Sequence, residues 1–389
     1  MSKVIAALVA VAMLCVGLYL GGHPESLPQP VRDVFVDDST SLQAQARDVI
    51  KDNFTRKVPN GQLDDASLRG MVRTLHSRFS HYFSKRENQL FRESTSGQFS
   101  GVGMTVTERK RGLLVVGTFK RSPARRAGIK PGDVITRVNG KSIAGKPEEA
   151  STALIKGRPG TYVRLTIDPR SGETRTVRVR RERILVPVAE GTMRRANGRK
   201  VGVLQLASFT SGAHGQLGQK INELERRGAQ GYVLDLRGNG GGLLDEAVLT
   251  SSLFDPQGVI VTTDGRKRPK RIFNATGETV TRKPVVMLVD RNTASASEIV
   301  TAALHECLGA PVVGQRTFGK GVFGQVFDLD NGGALDLIVG DYFTPTGKNL
   351  SGKGIPPDVR VVDRPSTRRD EALDRALAEV PKAKRRNGC

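Results

Sequence analysis

"VVMLVDRNTASASEIVTAAL" occupies Val285–Leu304. Five apolar residues, Val285–Val289, lead into a polar turn, and a second apolar stretch, Ile299–Leu304, follows. A short continuous apolar run, a turn and then apolar residues at helical spacing read as strand, turn, helix. That is the repeating unit of a layered α/β domain. Ala294, Ser295, Ala296 and Ser297 are all small, and Glu298 closes the run. Ser295 therefore admits three readings: a helix cap, a packing residue or a nucleophile. A serine nucleophile needs a neighbour that takes its proton.

The same alternation extends on both sides. Val201–Leu206 and Tyr232–Leu236 read as short buried strands. Gln216–Arg227, Asp245–Leu253 and Ala296–Cys307 read as helices. Leu335–Val339 and Asp341–Thr344 read as two later strands, and Arg369–Ala378 as a helix before a basic tail. The expectation is a layered βαβ domain over 184–365, with a C-terminal helix and tail over 366–389.

Upstream, the pattern changes. Val102–Val106, Leu113–Thr118 and Val134–Val138 read as strands, and Ser122–Ala127 as a short helix ended by Gly128. Asn139-Gly140 is a strong hairpin signal. Glu148–Ile155 reads as an amphipathic helix, and Val163–Ile167 with Thr174–Val179 as a hairpin. This order, together with "SPARRAGIKPGDVITRVNG", resembles a PDZ domain, here placed at 99–183. The resemblance implies capture of peptide C-termini by strand addition, with a backbone nest for the carboxylate. Gly101, Val102, Gly103 and Met104 fall at the carboxylate-loop position.

Before that, Leu42–Phe54 and Leu63–Phe83 carry apolar residues at helical spacing. They predict a small helical region over 42–98. Residues 23–41 are Pro-rich at their start and read as a linker. Lys3 precedes an uncharged stretch, Val4–Leu20, about long enough to span a bilayer. Leu20-Gly21-Gly22 is a poor cleavage site, and Leu14 is too large for a lipoprotein box before Cys15. Residues 1–22 are therefore expected to be an uncleaved signal-anchor, placing the protein at the cell membrane as a single-pass chain with its catalytic part outside the cytoplasm.

The net charge of +22 points to an anionic partner. No zinc-ligand pair or aromatic ribonucleoprotein strand accompanies it, so nucleic acid is not expected. Anionic cell-envelope polymers are the simpler candidate, and homo-oligomerisation stays open.

The chain contains no Gly-x-Ser-x-Gly, no His-Glu-x-x-His and no Ser-x-x-Lys. On one helix His305 would lie roughly 15 Å from Ser295, too far to take its proton. His214 sits in a loop, and spacing alone does not exclude it. "GQRTFGKG", Gly314–Gly321, nearly matches a phosphate-binding loop, but Gly321 stands where a Ser or Thr would hold magnesium. Lys320 is then either a solvated loop lysine or a desolvated one. Burial disfavours the charged amine, and a neutral lysine can act as a base toward serine.

"TASASEIV" followed by "GQRTFGKG" resembles the carboxyl-terminal processing proteases, tail-specific serine peptidases of family S41 that carry a PDZ domain. "ESTSGQFSGVGM", "LDLRGNGGGLLDEAV", "NGGALDL", "YFTPTGKNL" and "GKGIPPDV" extend the likeness from Leu42 to Leu377. The resemblance implies a ClpP/crotonase-like α/β core with an inserted PDZ domain. It implies Ser295 as nucleophile, Lys320 as general base, and no metal or cofactor. It also implies an oxyanion hole from the Ala296 N–H and from Gly241 in "RGNGGG", where Gly240 replaces the usual Pro. Substrates would be proteins with exposed apolar C-termini. The family commonly has a glutamine four residues after the lysine, thought to orient it. That place is Gly324 here, with Gln325 one later. Either a bulge restores Gln325 or Lys320 is oriented differently. The competing expectation is an inactive scaffold that binds peptide C-termini.

Overall fold

The computed structural model describes residues 38–59, 61–254, 258–364 and 367–383. The chain divides after Arg78 into two compact units. The described part of the first contains helices α1 (Asp38–Asn53) and α2 (Gln62–Arg73), joined by a 3.0 Å bond from Arg47 to Asp64. The helix expected to run to Phe83 stops at Arg73. His76 adopts φ 48° just beyond it, and 81–83 instead pair as a strand in the second unit. The expected anchor and most of the linker lie outside the described residues. No described helix is long and apolar enough to cross a membrane.

The second unit begins with β1 (His81–Phe83), α3 (Lys85–Ser96) and β2 (Gln98–Gly101). Ser84 starts α3, its N–H donating to Glu87 Oε2 at 2.8 Å, which satisfies one of the amides a helix start leaves open. Next come β3 (Met104–Arg109), β4 (Gly112–Thr118), α4 (Pro123–Arg126), β5 (Val134–Val138), β6 (Lys141–Ser142), α5 (Glu148–Ile155), β7 (Tyr162–Asp168) and β8 (Arg175–Arg180). The strands form one sheet in the order β3-β4-β5-β7-β8, with β6 hairpinned onto β5. Asn139 and Gly140 both have positive φ, the turn that matches strand twist. Val163, Leu165 and Ile167 alternate into a buried core with Leu113, Val115, Ile135 and Ile155. β3 is one of the two edge strands, and its first residue is Met104 rather than Val102, because Gly103 turns at φ 76°.

The remaining elements are β9 (Glu182–Leu185), β10 (Ala189–Ala196), β11 (Arg199–Leu206), α6 (Ala213–Arg226), β12 (Tyr232–Asp235), α7 (Leu244–Ser252), β13 (Val259–Gly265), β14 (Arg268–Asn274), β15 (Val285–Val289), α8 (Ala296–Leu308), β16 (Val312–Gly314), β17 (Val322–Asp328), β18 (Ala334–Phe343), β19 (Val359–Arg360) and α9 (Glu371–Glu379). β11, β12, β15, β16 and β19 pair in parallel, with β10 antiparallel at one edge. Both faces are covered, which is why these strands read as continuous apolar runs. Leu234, Met287 and Val289 pack with Leu217 and Ile221 of α6 and with Val300 and Leu304 of α8. Val233, Val286 and Leu288 pack on the other face with Ala372, Ala376 and Leu377 of α9.

A second sheet joins β1, β13, β14 and β17 around the long β18. Two strands were expected at 335–344, but one runs through Gly340. A Cβ there would stand 2.2 Å from the Asp264 carbonyl oxygen, so the glycine permits close strand approach rather than breaking the strand.

Candidate active site

The parallel strands β12, β15 and β16 end together, and the loops beyond their carboxyl ends converge. In open α/β sheets this is where ligands bind. The loop after β15 is stitched by Thr293, whose N–H and hydroxyl bond to Asp290 and to the Leu236 carbonyl. Ser295 follows at φ 57°, ψ −118°. A side chain held in this region costs of order 1–3 kcal/mol, so the surroundings impose it. Ser295 is part-exposed while its neighbours Ala294, Ala296, Ser297 and Glu298 are buried. The Ala296 N–H opens α8 and has no protein acceptor among the described residues. A helix start concentrates partial positive charge at that point.

Glu298 ties this turn to the next. Its carboxylate is fully buried and accepts four hydrogen bonds. Ser295 N–H and Lys320 N–H reach Oε2 at 2.9 Å each; the Thr317 hydroxyl and Gly319 N–H reach Oε1 at 2.6 and 2.8 Å. Four donors are what make a buried carboxylate tolerable. Only the first of these bonds lies within the serine turn; the other three are tertiary.

Lys320 lies between two glycines because both sides of it meet backbone. A Cβ on Gly319 would stand 2.9 Å from the Gly354 nitrogen, and one on Gly321 2.5 Å from the Ser351 nitrogen. The side-chain nitrogen of Lys320 sits 5.1 Å from the centre of the Phe79 ring, and Phe79 meets Phe318 edge-on. Tyr342, buried on β18, donates its hydroxyl to the Lys320 carbonyl and lies 3.4 Å from the Ser295 carbonyl. Burial, with the nearby Glu298 charge, pushes the Tyr342 hydroxyl well above its ordinary range, so it remains a donor.

The glycine loop after β12 packs against the serine turn. A Cβ on Gly241 would stand 2.8 Å from the Ala294 carbonyl oxygen and 2.9 Å from Ser295 Cβ. The Gly241 N–H, however, donates to Asn239 Oδ1 at 2.9 Å. Asn239 is fully buried; its amide donates to the Leu206 carbonyl, and its own carbonyl accepts from Ala294 N–H and Ser297 Oγ. In this structure Gly241 therefore supplies close approach, while its N–H is engaged elsewhere. A Cβ on Gly240 would meet nothing within 4 Å.

Gln325 does not turn toward Lys320. Its Oε1 accepts from Arg268 on β14. The register does slip beside Gly324, but the partners run Phe323–Gly340 and then Gly324–Ile338, so the extra residue is Val339 on β18. A bulge in the opposite strand leaves the facing of Gln325 unchanged. The space above Gly324 is taken by Asp336, whose Oδ1 would be 2.6 Å from a Cβ there. Burial raises the Asp336 carboxyl, opposed by the charges of Lys320 and His81.

His305, which helix spacing excludes as the base, and His214, which lies in the first turn of α6 rather than in a loop, are both occupied elsewhere. His305 Nδ1 pairs with the Ala310 carbonyl at 2.9 Å, and His214 Nδ1 with Glu246 at 2.8 Å. Arg237 grips Asp235, Asp363 and Asp370, tying the glycine loop to the start of α9.

In the six-stranded domain, Gly101, Val102, Gly103 and Met104 line a groove of about 440 Å³ between β3 and α5, together with Phe99, Ile155 and Lys156. Gly103 is fixed by contact, because a Cβ would lie 2.5 Å from Ser122 Cβ. Lys156 bonds Glu93 of α3 at 2.7 Å.

Known protein families match both domains. The model of Peptidase family S41 matches residues 200–361, and that of the PDZ domain matches 119–168. The carboxy-terminal processing protease CtpA of Bacillus subtilis (strain 168) is 34% identical over 357 residues, covering 92% of this chain and 76% of that protein. A "Probable CtpA-like serine protease" of Staphylococcus haemolyticus is 34% identical over 316 residues, 80% of this chain and 62% of that one. Among solved structures, the photosystem II D1 C-terminal processing protease superposes with a TM-score of 0.50 at 27% identity, covering 86% of this chain and 90% of the other.

Proposed function

The chain belongs to the carboxy-terminal processing serine proteases of peptidase family S41, and from that premise we propose that Ser295 is its nucleophile and Lys320 its general base. The observation that carries the proposal is the shared Glu298 oxygen, which holds the Ser295 and Lys320 amides beside each other. Ser295 Oγ attacks the scissile carbonyl carbon while its proton passes to the lone pair of the Lys320 amine. The resulting ammonium protonates the departing amine of the peptide, and water then hydrolyses the acyl-enzyme. The Ala296 N–H holds the oxyanion. Gly241 N–H joins it when it exchanges Asn239 for the substrate oxygen. Gln325, bonded to Arg268, has no part in this reading.

Substrate C-termini would add along the edge strand β3, with their carboxylate at Gly101–Met104 and an apolar last side chain in the groove. The N-terminal apolar segment would anchor the protein to the membrane and place the protease outside the cytoplasm, where its positive charge meets anionic envelope polymers. An inactive scaffold is not favoured by kinship to named proteases.

The test is cleavage of an unfolded protein with an apolar C-terminus by wild type, Ser295→Ala and Lys320→Ala. Both variants should be inactive, and full activity in either overturns the assignment. Removing the substrate's last apolar residues should raise KM if the groove captures the tail.

A further inference from the structure

Lys320 needs something to hold its ammonium once it has accepted the serine proton, and Gln325 is turned away. Asp336 occupies that ground. It pairs with His81 across β1 and with Val326 across β17, and its Oδ1 covers Gly324. It is half-buried, and no hydrogen bond or ion pair to its carboxylate is found among the described residues. The charges acting on it are those of Lys320 and His81. Lys320 likewise has no carboxylate within ion-pair distance among the described residues; its amine rests over Phe79. A carboxylate without a partner among the described residues thus fills the side-chain space of Gly324, four residues after an amine that also lacks an ion pair.

We propose that Asp336 is the positioning residue of Lys320, receiving its ammonium in the place where Gly324 leaves the expected glutamine out. The proposal rests on the reading of Ser295 and Lys320 as nucleophile and base. When Ser295 Oγ bonds to the carbonyl carbon, the O–H bond breaks and the proton joins the Lys320 lone pair. Asp336 stays ionised and balances the new positive charge. It takes no proton itself, as the aspartate of a Ser-His-Asp triad takes none from its histidine. The proton later leaves Lys320 for the departing nitrogen.

A carboxylate does this differently from an amide. An opposite charge nearby favours the protonated amine, so the fraction of enzyme with a neutral base grows only at more alkaline pH. Removing the charge while keeping an acceptor should move the rise of the pH–rate profile toward acid. Other titratable groups adjoin these two: His81 on β1, Glu298 and Tyr342 on the backbone of Lys320, and Asp341 opposite Val322.

The experiment uses the full chain, with β-casein cleavage for kcat and KM. The rate of Ser295 labelling by a fluorophosphonate is followed across pH. Asp336→Asn should shift the half-maximal labelling rate by about one pH unit toward acid, and His81→Gln should not reproduce the shift. Asp336→Ala should lower kcat on the order of tenfold or more with KM unchanged. Adding Gly324→Gln to Asp336→Ala, where the space is then free, should restore part of kcat. Unchanged kcat and unchanged pH profiles in both Asp336 variants, with Ser295→Ala and Lys320→Ala inactive, would overturn the role of Asp336 alone. An active Lys320→Ala enzyme would overturn the base assignment and this proposal with it. Thermal unfolding of each variant separates loss of fold from loss of rate.

Discussion

Ser295 and Lys320 donate their backbone N–H groups to the same oxygen, Oε2 of Glu298, at 2.9 Å each. Two such bonds to one atom keep the two amide nitrogens close together. The pairing of a residue on the β15–α8 turn with one in the turn before β17 is thus fixed through main chain. Both side chains remain available for chemistry. The other oxygen of Glu298 holds Thr317 and Gly319, so the whole lysine turn is referred to one carboxylate.

Glu298→Gln should therefore cost more than an isosteric change usually does. The amide keeps one acceptor oxygen and turns an NH₂ toward N–H or O–H donors. Each buried donor left unpaired costs about 1–3 kcal/mol, so a loss of about 3 kcal/mol in urea unfolding is expected. Cleavage activity should fall on the order of 100-fold as the turns drift apart. Near wild-type stability would show that the four bonds are not what holds the turns.

Ser295 should show a conflict between stability and activity. Its φ of 57° with ψ −118° suits glycine and strains any residue with a Cβ. Ser295→Gly should be more stable than Ser295→Ala by about 1 kcal/mol, although both lack the hydroxyl and neither cleaves. Equal melting temperatures for the two would mean that the turn stores no strain.

The sequence made the parallel sheet legible because strands covered on both faces are written as unbroken apolar runs, Val285–Val289 above all. It concealed β14, whose residues are nearly all exposed, because an exposed ribbon needs no apolar period. β1 was hidden inside a helical pattern, and its partner β18 lies near the other end of the chain. Ser295 and Lys320 could be singled out by residue type and setting. Glu298 could not be read beyond its capping spacing, since three of its four bonds depend on tertiary contact. Gln325 shows the same limit. The register does slip beside it, but the extra residue, Val339, belongs to another strand, so the slip does not turn Gln325 toward Lys320. Asp336 and Tyr342 reach the site only through that strand.

The adjacent glycines 240 and 241 should respond oppositely to one methyl group. Gly240 has open space where a Cβ would go, whereas Gly241, at φ 104°, has Ala294, Ser295 and Ala296 within 3.0 Å. Gly240→Ala should keep activity within about twofold and unfold at the same or slightly higher urea, since it restricts the unfolded chain. Gly241→Ala should displace the serine turn and lower kcat on the order of 100-fold. Comparable kcat for the two variants would remove the glycine loop from the site.

Arg237 carries the pH dependence of the loop's support. Burial disfavours the charged Asp370 carboxylate, but the Arg237 hydrogen bond, the Leu373 N–H and the Arg237 charge outweigh it and hold the group below its usual range. A carboxyl lowered on folding stabilises the protein above its unfolded value, near pH ~4. That stability is lost as pH falls through the folded value. Arg237→Ala leaves the buried Asp235 without its partner and should cost about 3 kcal/mol at pH 7. The gap between wild type and variant should narrow as pH falls through the lowered folded value of Asp370. Arg237→Lys should recover only part of it, because an ammonium cannot bond Asp235 and Asp370 through a planar fork. Urea midpoints at pH 7 and pH 3 decide the matter: a gap as wide at pH 3 as at pH 7 would mean that Arg237 acts through packing rather than charge.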